Sequence, residues 1–263
     1  MRSPVRSAIR GPRFVKSWGG NRRLLNLSRH CQDAEAAAYQ VRSCIVLRRG
    51  SSAGAAAPRR RVARRDYHHG DLRSALLESV RRIIRENGPS LVSIREVARR
   101  TRVSHAAPAH HFRNKSGLLT AFAAQGFNQL ADTIGATIAA SRATAAPDVL
   151  AAMGRGYVRF AIEHPEHFAI MFRRELLDEQ DEVFAQAADR AYGPLIATVR
   201  AAAEEGYFEG DPVVTAASAW SLVHGLATLW IGGRLQHRIG ASDPHDVADA
   251  VTKLFVSSVM RRR

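Results

Sequence analysis

The sequence is poor in cysteine and lacks the loops with which enzymes hold phosphates or nucleophiles. Of 263 residues only Cys31 and Cys44 are cysteines, so neither a disulfide framework nor a cysteine-ligated zinc site can organise the rest of the chain. There is no glycine-rich phosphate loop, no nucleophile elbow and no recognisable set of serine, histidine and aspartate. These absences argue against an enzyme, suggest no cofactor, and favour a reducing cytoplasm.

Long apolar runs are missing as well. No run of about 18 apolar residues is present to span a membrane, and residues 1–65 lack the apolar region and cleavage site of a secretory signal. We therefore expect a soluble protein with no membrane partner. Hydrophobic residues still make up 46% of the chain, which is enough for a buried core.

Positive charge is concentrated towards the N-terminus. Residues 1–65 hold 16 Lys and Arg against two acidic residues, a net charge of +14, and residues 66–120 hold 10 against 5, a net of +5. Residues 121–263 hold 13 against 17, a net of −4. A compact basic module followed by a mildly acidic one indicates that only the first meets a nucleic-acid backbone.

Residues 1–65 are predicted to form a basic, disordered extension. Their arginines follow no helical period, and a Gly/Ser/Ala patch at 50–57 leads into an arginine-rich run at 59–65. Three interpretations stay open: an arm that follows DNA or reaches a neighbouring groove, a tail without a role, or a start codon placed too far upstream.

Residues 66–114 are predicted to form a small helical domain. The first helix opens after Asp71, with residues 68–70 as its entry turn, and closes at Gly88. Its apolar residues lie on one face: Leu72, Leu76, Val80 and Ile83. The second begins at a capping box, in which Ser93 and Glu96 each satisfy the other's backbone N–H.

A third helix is predicted from Ser104 to Phe112, only a tight turn after the second. Two short helices with this spacing are typical of a helix-turn-helix. Small residues near the start of the third helix allow its backbone to approach base edges, and a helix N-terminus also attracts phosphate. A three-helix bundle without such a role is the structural alternative.

These segments resemble the N-terminal domain of the tetracycline-repressor (TetR) family, through IREVA at 94–98, VS at 103–104 and HFRNK at 111–115. The resemblance implies a three-helix homeodomain-like DNA-binding domain and a long fourth helix, opened by a phosphate-contacting Lys115 and capped by Asn114. Two residues depart from the pattern. Arg102 replaces the usual turn glycine, and Ala109 replaces the usual tyrosine, so His110, His111 or Arg113 would have to anchor the backbone.

The predicted DNA-binding residues lie in the second helix, the third helix and the start of the fourth. Pro108 removes one N–H from the third helix, which is tolerable only in its first turn. The full set is Ser93, Arg95, Ser104, His105, Ala106, Ala109, His110, His111, Arg113 and Lys115.

Residues 115–263 are predicted to form a second, all-helical domain, which makes the fold all-α. Asp211-Pro212 and Asp243-Pro244 each place an N-cap before a first-turn proline and so begin the last two long helices. Trp220, His224 and Gly225 resemble the WxxxHG signature of one TetR-family branch. By family implication this domain holds an inducer pocket, and its last two helices form a four-helix dimer interface.

Two residue sets follow from this interpretation. The predicted ligand pocket, with core packing as the alternative, is Phe127, Tyr157, Phe160, Phe168, Met171, Phe172, Trp220 and His224. The predicted dimer interface is Trp230, Val251, Leu254, Phe255 and Val259.

The sequence thus predicts a ligand-responsive repressor that binds a pseudo-palindromic operator as a homodimer. Activation stays open, as do the identities of effector and operator. A non-specific architectural DNA binder is the rival function, favoured by the basic extension. Metal binding has one candidate pair, His164 and His167, but Pro165 between them weakens the argument for one helical face and no cysteine or carboxylate pair completes a site.

Overall fold

The computed structural model describes the backbone of residues 69–259 and the side chains of residues 72–259. The predicted extension, residues 1–65, lies outside the described residues. Within the described part the chain is all-α and contains no strand, which confirms the expected fold class. Its ten helices, in chain order, are α1 (His69–Asn87), α2 (Ile94–Thr101), α3 (Ala106–Phe112), α4 (Lys115–Ser141), α5 (Ala146–Glu163), α6 (Pro165–Met171), α7 (Glu182–Glu204), α8 (Pro212–Ile231), α9 (Arg234–Ile239) and α10 (Pro244–Val259).

Helices α1 to α3 pack around one small core, with a 3-10 turn at Pro89–Leu91 between the first two. The predicted stripe on α1 supplies part of that core. The fully buried residues of α1, of α2 and of the turn between them are Leu76, Val80, Ile83, Ile84, Val92, Val97 and Ala98. We call α1 to α3 the headpiece.

Two helix starts in the headpiece differ from the prediction. Helix α1 begins at His69 rather than after Asp71, because a glycine does not forbid helical angles and an acidic residue is favourable in a first turn. Helix α3 begins at Ala106 rather than Ser104. The reason is that the Val103 N–H closes back on the Ala98 carbonyl at 3.1 Å, which keeps residues 103–104 out of either helix.

The long helix α4, whose 27 residues span about 40 Å, packs against α5, α6 and α7, while α8 and α10 pack against α5. A close approach between α4 and α5 depends on Gly156, because a Cβ there would lie 2.8 Å from the Ile134 Cα. Gly126 plays the same part towards α6, where a Cβ would lie 2.6 Å from the Met171 sulfur.

Both predicted Asp-Pro helix starts are present. The Asp211 carboxylate accepts the Val213 N–H at 2.8 Å, and that of Asp243 accepts the His245 N–H at 2.6 Å. Between the two helices lies α9, which the sequence analysis missed because six residues are too few for a helical period. It lies between Gly233 and Gly240, both with φ near +70°.

Helix α8 bears on the expectation that no segment of the chain is apolar enough to span a membrane. Its 20 residues include no Asp, Glu, Lys or Arg, so by length and composition it is one helix in the described range that could cross a membrane. In the fold it packs against α5, α7, α9 and α10. Four of its apolar side chains are nevertheless exposed in the single chain: Val213, Val214, Trp220 and Leu229.

Candidate functional site

The start of α2 is fixed by one half of the predicted capping box. The Ser93 hydroxyl accepts the Glu96 N–H at 3.2 Å. The reciprocal bond is not formed, because the Glu96 carboxylate accepts N–H donors of Arg99 and Arg100 at 2.7–2.8 Å instead. Charged donors one turn away are stronger partners for a carboxylate than a neutral backbone N–H. These bonds lower the pKa of Glu96 to about 2, so it stays anionic at neutral pH.

Internal ion pairs therefore neutralise part of the positive charge of the headpiece. Arg99 pairs with Glu96, and Arg100 pairs with both Glu96 and Glu86. By contrast, between residues 95 and 115 four exposed arginine and lysine side chains form no ion pair with any described residue: Arg95, Arg102, Arg113 and Lys115. These four charges remain for an external anion, as does that of the exposed Arg73, whose guanidinium lies 5.4 Å from the Phe112 ring centroid.

Arginines in unusual backbone conformations border α3 on both sides. Arg102 ends α2 with φ 56° and ψ 39°, and Arg113 lies between α3 and α4 with φ 62° and ψ −60°. A left-handed conformation costs a residue with a Cβ about 1–2 kcal/mol. From the sequence, Arg102 was predicted only to replace a turn glycine; its exposed, unpaired charge four residues before α3 was not predicted.

Helix α3 exposes small and imidazole side chains. Ala106 and His110 are exposed, as are Ser104 and His105 directly before the helix, while Ala109 and His111 are half-buried. Two further residues, Pro108 in the first turn and Phe112 at the end, are buried and attach the helix to the headpiece core. The outer face thus lets another molecule approach the backbone closely.

The start of α4 follows the prediction. Lys115 is its first residue, and the Asn114 carboxamide caps it by accepting the Gly117 N–H at 2.9 Å. The positive end of a helix dipole is an unfavourable place for a lysine, whereas it attracts an anion. The position of Lys115 is therefore suited to an external phosphate rather than to helix stability. None of the ten predicted DNA-binding residues is buried.

An ion pair joins the headpiece to the rest of the fold. Arg85 on α1 donates to the Glu166 carboxylate on α6 at 2.5 Å. The Glu166 side chain is only 4% exposed, against 53% for Arg85. A buried carboxylate depends strongly on its cation, so this pair fixes α6 against α1.

Six of the eight predicted pocket residues meet in one aromatic cluster, to which Phe184 and Tyr192 of α7 also belong. Neighbouring ring centroids in this cluster lie 4.7–6.4 Å apart, at the separations of attractive ring pairs. Phe160 and Met171 are buried in the core outside it. The cluster comprises Phe127, Tyr157, Phe168, Phe172, Phe184, Tyr192, Trp220 and His224.

A cavity with about 570 Å³ of empty space, open solvent included, lies beside this cluster. It lies between α4, α5, α7, α8 and α10. Of the predicted pocket residues only Tyr157 and Trp220 line it, and Phe255, predicted at the dimer interface, lines it too. The other lining residues are Leu130, Ile134, Leu150, Met153, Gly154, Ala191, Tyr192, Leu195, Ala219, Leu222, Val223, Thr252 and Val256.

Polar contacts at the cavity wall centre on Tyr157. Its hydroxyl is 2.8 Å from the His224 Nδ1 and accepts the Trp220 indole N–H at 3.4 Å. Burial raises the pKa of the Tyr157 and Tyr192 hydroxyls and lowers the pKa of His224. All three side chains are therefore neutral at pH 7.

His164 and His167 do not form part of a metal cluster. Among the described residues no group of three or more His, Cys, Asp or Glu is placed to hold an ion. The His167 ring is 2% exposed and stacks on Phe122 at 4.1 Å, with no hydrogen-bond partner for either nitrogen. Burial lowers its pKa to about 4.

The other predicted interface residues lie on α8 and α10. Leu254 is 69% exposed in the single chain, while Trp230, Val251 and Val259 are half-buried. An apolar surface of this kind is typical of a contact with another protein.

Two family descriptions match the chain. Residues 76–122 match "Bacterial regulatory proteins, tetR family", and residues 150–255 match "Tetracyclin repressor-like, C-terminal domain". None of the curated proteins compared with the sequence matches it.

Several solved structures share the fold. A protein of unknown function from Rhodococcus sp. RHA1 is 30% identical, with a TM-score of 0.64; the match covers 74% of this chain and 99% of that one. The TetR family transcriptional regulator PfmR from Thermus thermophilus is 19% identical, with a TM-score of 0.56 and coverage of 69% and 97%. A tetR-family regulatory protein from Rhodococcus RHA1 is 21% identical, with a TM-score of 0.57 and coverage of 72% and 96%.

Proposed function

Because the chain belongs to the TetR family and is a DNA-binding transcription regulator rather than an enzyme, we propose that it is a ligand-responsive repressor. It binds a pseudo-palindromic operator as a homodimer in the cytoplasm and releases the DNA when a small molecule occupies its regulatory domain. The observation that supports the proposal is that α3 exposes small side chains and that the exposed residues Arg95, Arg102, Arg113 and Lys115, in the segments before and after it, form no ion pair with a described residue.

The DNA contact is divided between two kinds of residue. The small side chains of α3, Ala106 and Ala109, let its backbone enter a major groove, where His105 and His110 reach base edges. Arg113 and Lys115 hold the phosphates on either side. Ser93 and Arg95, at the start of α2, contact the neighbouring backbone.

Dimerisation follows from the apolar side chains of α8 and α10. Leu229 and Leu254 are exposed in the single chain, and a second copy covers them in a two-fold interface. In such a dimer the exposed apolar part of α8 contacts the second protein chain rather than lipid. Two headpieces related by this axis read half-sites about one helical turn, or 34 Å, apart.

The coupling between ligand and DNA runs through α4. Leu130 and Ile134 of this helix line the cavity, and Lys115 at its start lies about 22–28 Å from them along the helix axis. The aromatic cluster also connects the cavity to α6, which Arg85 ties to the headpiece. A ligand that displaces α4 or α6 therefore changes the separation of the two α3 helices.

Trp220 and His224 have a structural role in this arrangement that fits the WxxxHG interpretation. Both hydrogen-bond the Tyr157 hydroxyl, which joins α8 to α5 beside the cavity. These contacts support our proposal that the chain belongs to the WxxxHG branch.

Selection of genomic fragments by the purified full chain, followed by sequencing, tests the proposal. A regulator enriches a few fragments that share an inverted repeat. The rival, an architectural binder, is favoured by the 16 basic residues of the extension and would enrich none. A chain lacking residues 1–58 separates the two sources of affinity: unchanged enrichment and salt dependence would exclude a role for that segment in DNA binding.

A further inference from the structure

We propose that the cavity takes an uncharged, mainly apolar molecule that carries one hydroxyl or carbonyl oxygen, hydrogen-bonded to Tyr192. This inference rests on the proposed ligand response and adds the chemical class of the ligand. It depends on which residues line the cavity, on which polar atoms there lack a hydrogen-bond partner, and on the shape of the cavity walls.

The lining contains no ionisable group that is charged at neutral pH. None of the 16 lining residues is Asp, Glu, Lys, Arg or His. The charged residue next to the lining Gly154, Arg155, is already paired with Asp249 at 3.3 Å. A carboxylate or an ammonium in this space would lose its hydration and meet no opposite charge, so the cavity selects against ions.

The polar side-chain groups of the lining are the Trp220 indole N–H and three hydroxyl groups. Two of these hydroxyl groups already form hydrogen bonds within the protein. The Tyr157 hydroxyl bonds His224 and Trp220, and the Thr252 hydroxyl donates to the Ala248 carbonyl at 2.7 Å. The Tyr192 hydroxyl makes no hydrogen bond with a described residue, although its ring contacts Trp220 and Phe127. One oxygen on the ligand satisfies this group.

The shape of the space favours a flat or compact molecule. Its walls include four aromatic rings, those of Tyr157, Tyr192, Trp220 and Phe255, whose faces pack well against another ring. Gly154 lets α5 approach α10 and α8 closely at this wall, because a Cβ there would lie 2.5 Å from the Thr252 methyl carbon and 3.2 Å from a Val223 methyl carbon.

Calorimetric titration of the full chain with 1-naphthol and with 1-naphthoate tests the charge preference. The two probes share one ring system and differ at pH 7 in charge. We expect 1-naphthol to bind and 1-naphthoate to bind roughly a hundredfold more weakly, because the anion must be dehydrated. Equal binding of the two probes, or no binding of 1-naphthol up to its solubility limit, overturns the inference.

Two variants test the position of the ligand. Tyr192→Phe should weaken 1-naphthol binding about fivefold through the loss of one neutral hydrogen bond, whereas Tyr207→Phe, outside the lining, should leave it unchanged. Ala191→Leu extends into the cavity and should abolish binding, while Ala136→Leu on the exposed side of α4 should not. Circular dichroism checks that each variant is folded. If both Tyr192→Phe and Ala191→Leu bind 1-naphthol with the affinity of the unchanged protein, the assigned site is wrong.

Operator affinity, measured on the same samples, separates this inference from the proposed function. If 1-naphthol binds as expected but operator affinity does not change, the ligand class stands and the ligand response fails. If 1-naphthoate is preferred and still releases the operator, the response stands and the ligand class fails.

Discussion

Lys115 is the residue whose position is hardest to explain by stability alone. It occupies the positive end of the α4 dipole and pairs with no described carboxylate. We expect Lys115→Gln to weaken binding to every DNA sequence about tenfold and to reduce the salt slope by about one, as the loss of one phosphate contact requires. Fluorescence anisotropy at several salt concentrations measures both.

The matched control is Lys253→Gln. Lys253 is exposed on α10 and pairs with Asp249 at 2.6 Å, far along the chain from the headpiece. Its replacement should leave DNA affinity and salt slope unchanged. A salt slope that Lys115→Gln leaves intact would show that this residue does not meet a phosphate.

Arg102 is expected to lower the stability of the headpiece. Its φ of 56° is left-handed, a conformation that glycine adopts without steric cost. Arg102→Gly should therefore raise the free energy of unfolding by about 0.5–1 kcal/mol, measured by urea denaturation. Arg95→Gly, at an exposed position inside α2, should lower it by about the same amount. A destabilised Arg102→Gly variant would contradict the argument.

At the scale of elements, the contact between α1 and α6 depends on a buried carboxylate. Removing Arg85 leaves Glu166 buried without its cation, and because Arg85 is 53% exposed we expect Arg85→Ala to cost about 1–2 kcal/mol rather than the larger loss of a fully buried pair. Glu166→Gln in the same chain should recover part of the loss, since the uncompensated charge is then gone. Chemical denaturation of the single and double variants gives the coupling.

Arg82→Ala serves as the control for that cycle. Arg82 is one turn from Arg85 on the same helix side and pairs only with Glu78, at the surface. A surface pair of this kind contributes about 0–1 kcal/mol. Equal losses for Arg82→Ala and Arg85→Ala would mean that burial of Glu166 is unimportant.

His167 makes the packing of α6 against α4 sensitive to acid. The pKa of its ring is about 4 in the fold, below the value of about 6.5 of an unfolded chain, so the unfolded state binds more protons between these values. The contribution of His167 to the free energy of unfolding is therefore fully present above pH 6.5. It falls as the pH drops from 6.5 towards 4, by up to about 3 kcal/mol. The charged or titratable neighbours that act on it are His164, Glu166, Arg81 and Glu78.

Denaturation curves between pH 7 and 4 test this dependence. His167→Phe keeps a flat ring against Phe122 but cannot be protonated, so its stability should change less over this interval. Burial also lowers the pKa of His224, which acts in the same direction and remains in the variant. An identical pH dependence for the two proteins would contradict the role of His167.

The features of the fold that could be predicted from the sequence are those that depend on residues close together along the chain. The caps at Asn114, Asp211 and Asp243 are local, and each begins a helix where predicted. The start of α3 was misplaced because it depends on a bond from Val103 back across the turn. Glu96 was assigned the wrong partner because two arginines compete for it.

The cavity could be predicted only in part, because five helices contribute to its wall. Tyr157 and Trp220 were identified as aromatic residues of the regulatory domain, and both line it. Tyr192 of α7 was missed, although it adjoins the lining residue Ala191. Phe255 was assigned to an interface because its helical period does not distinguish an inner wall from an outer face.

For the whole molecule, the apolar surface of α8 and α10 predicts a homodimer. Leu254→Glu places a charge on a residue that is 69% exposed in the single chain, so it should not disturb the fold but should prevent a second copy from covering the surface. Light scattering should then report a monomer. Val183→Glu, on an exposed valine of α7, should leave the dimer intact; a monomeric wild-type protein would refute the proposed interface.

The central claim is that two α3 helices read two half-sites of one operator. Nuclease footprinting of the purified full chain on a fragment selected from genomic DNA tests it most directly. The account predicts a protected inverted repeat whose half-sites lie about one helical turn apart, with protection lost when either half-site is altered. Uniform protection along the fragment, or protection indifferent to the half-site sequence, would contradict it.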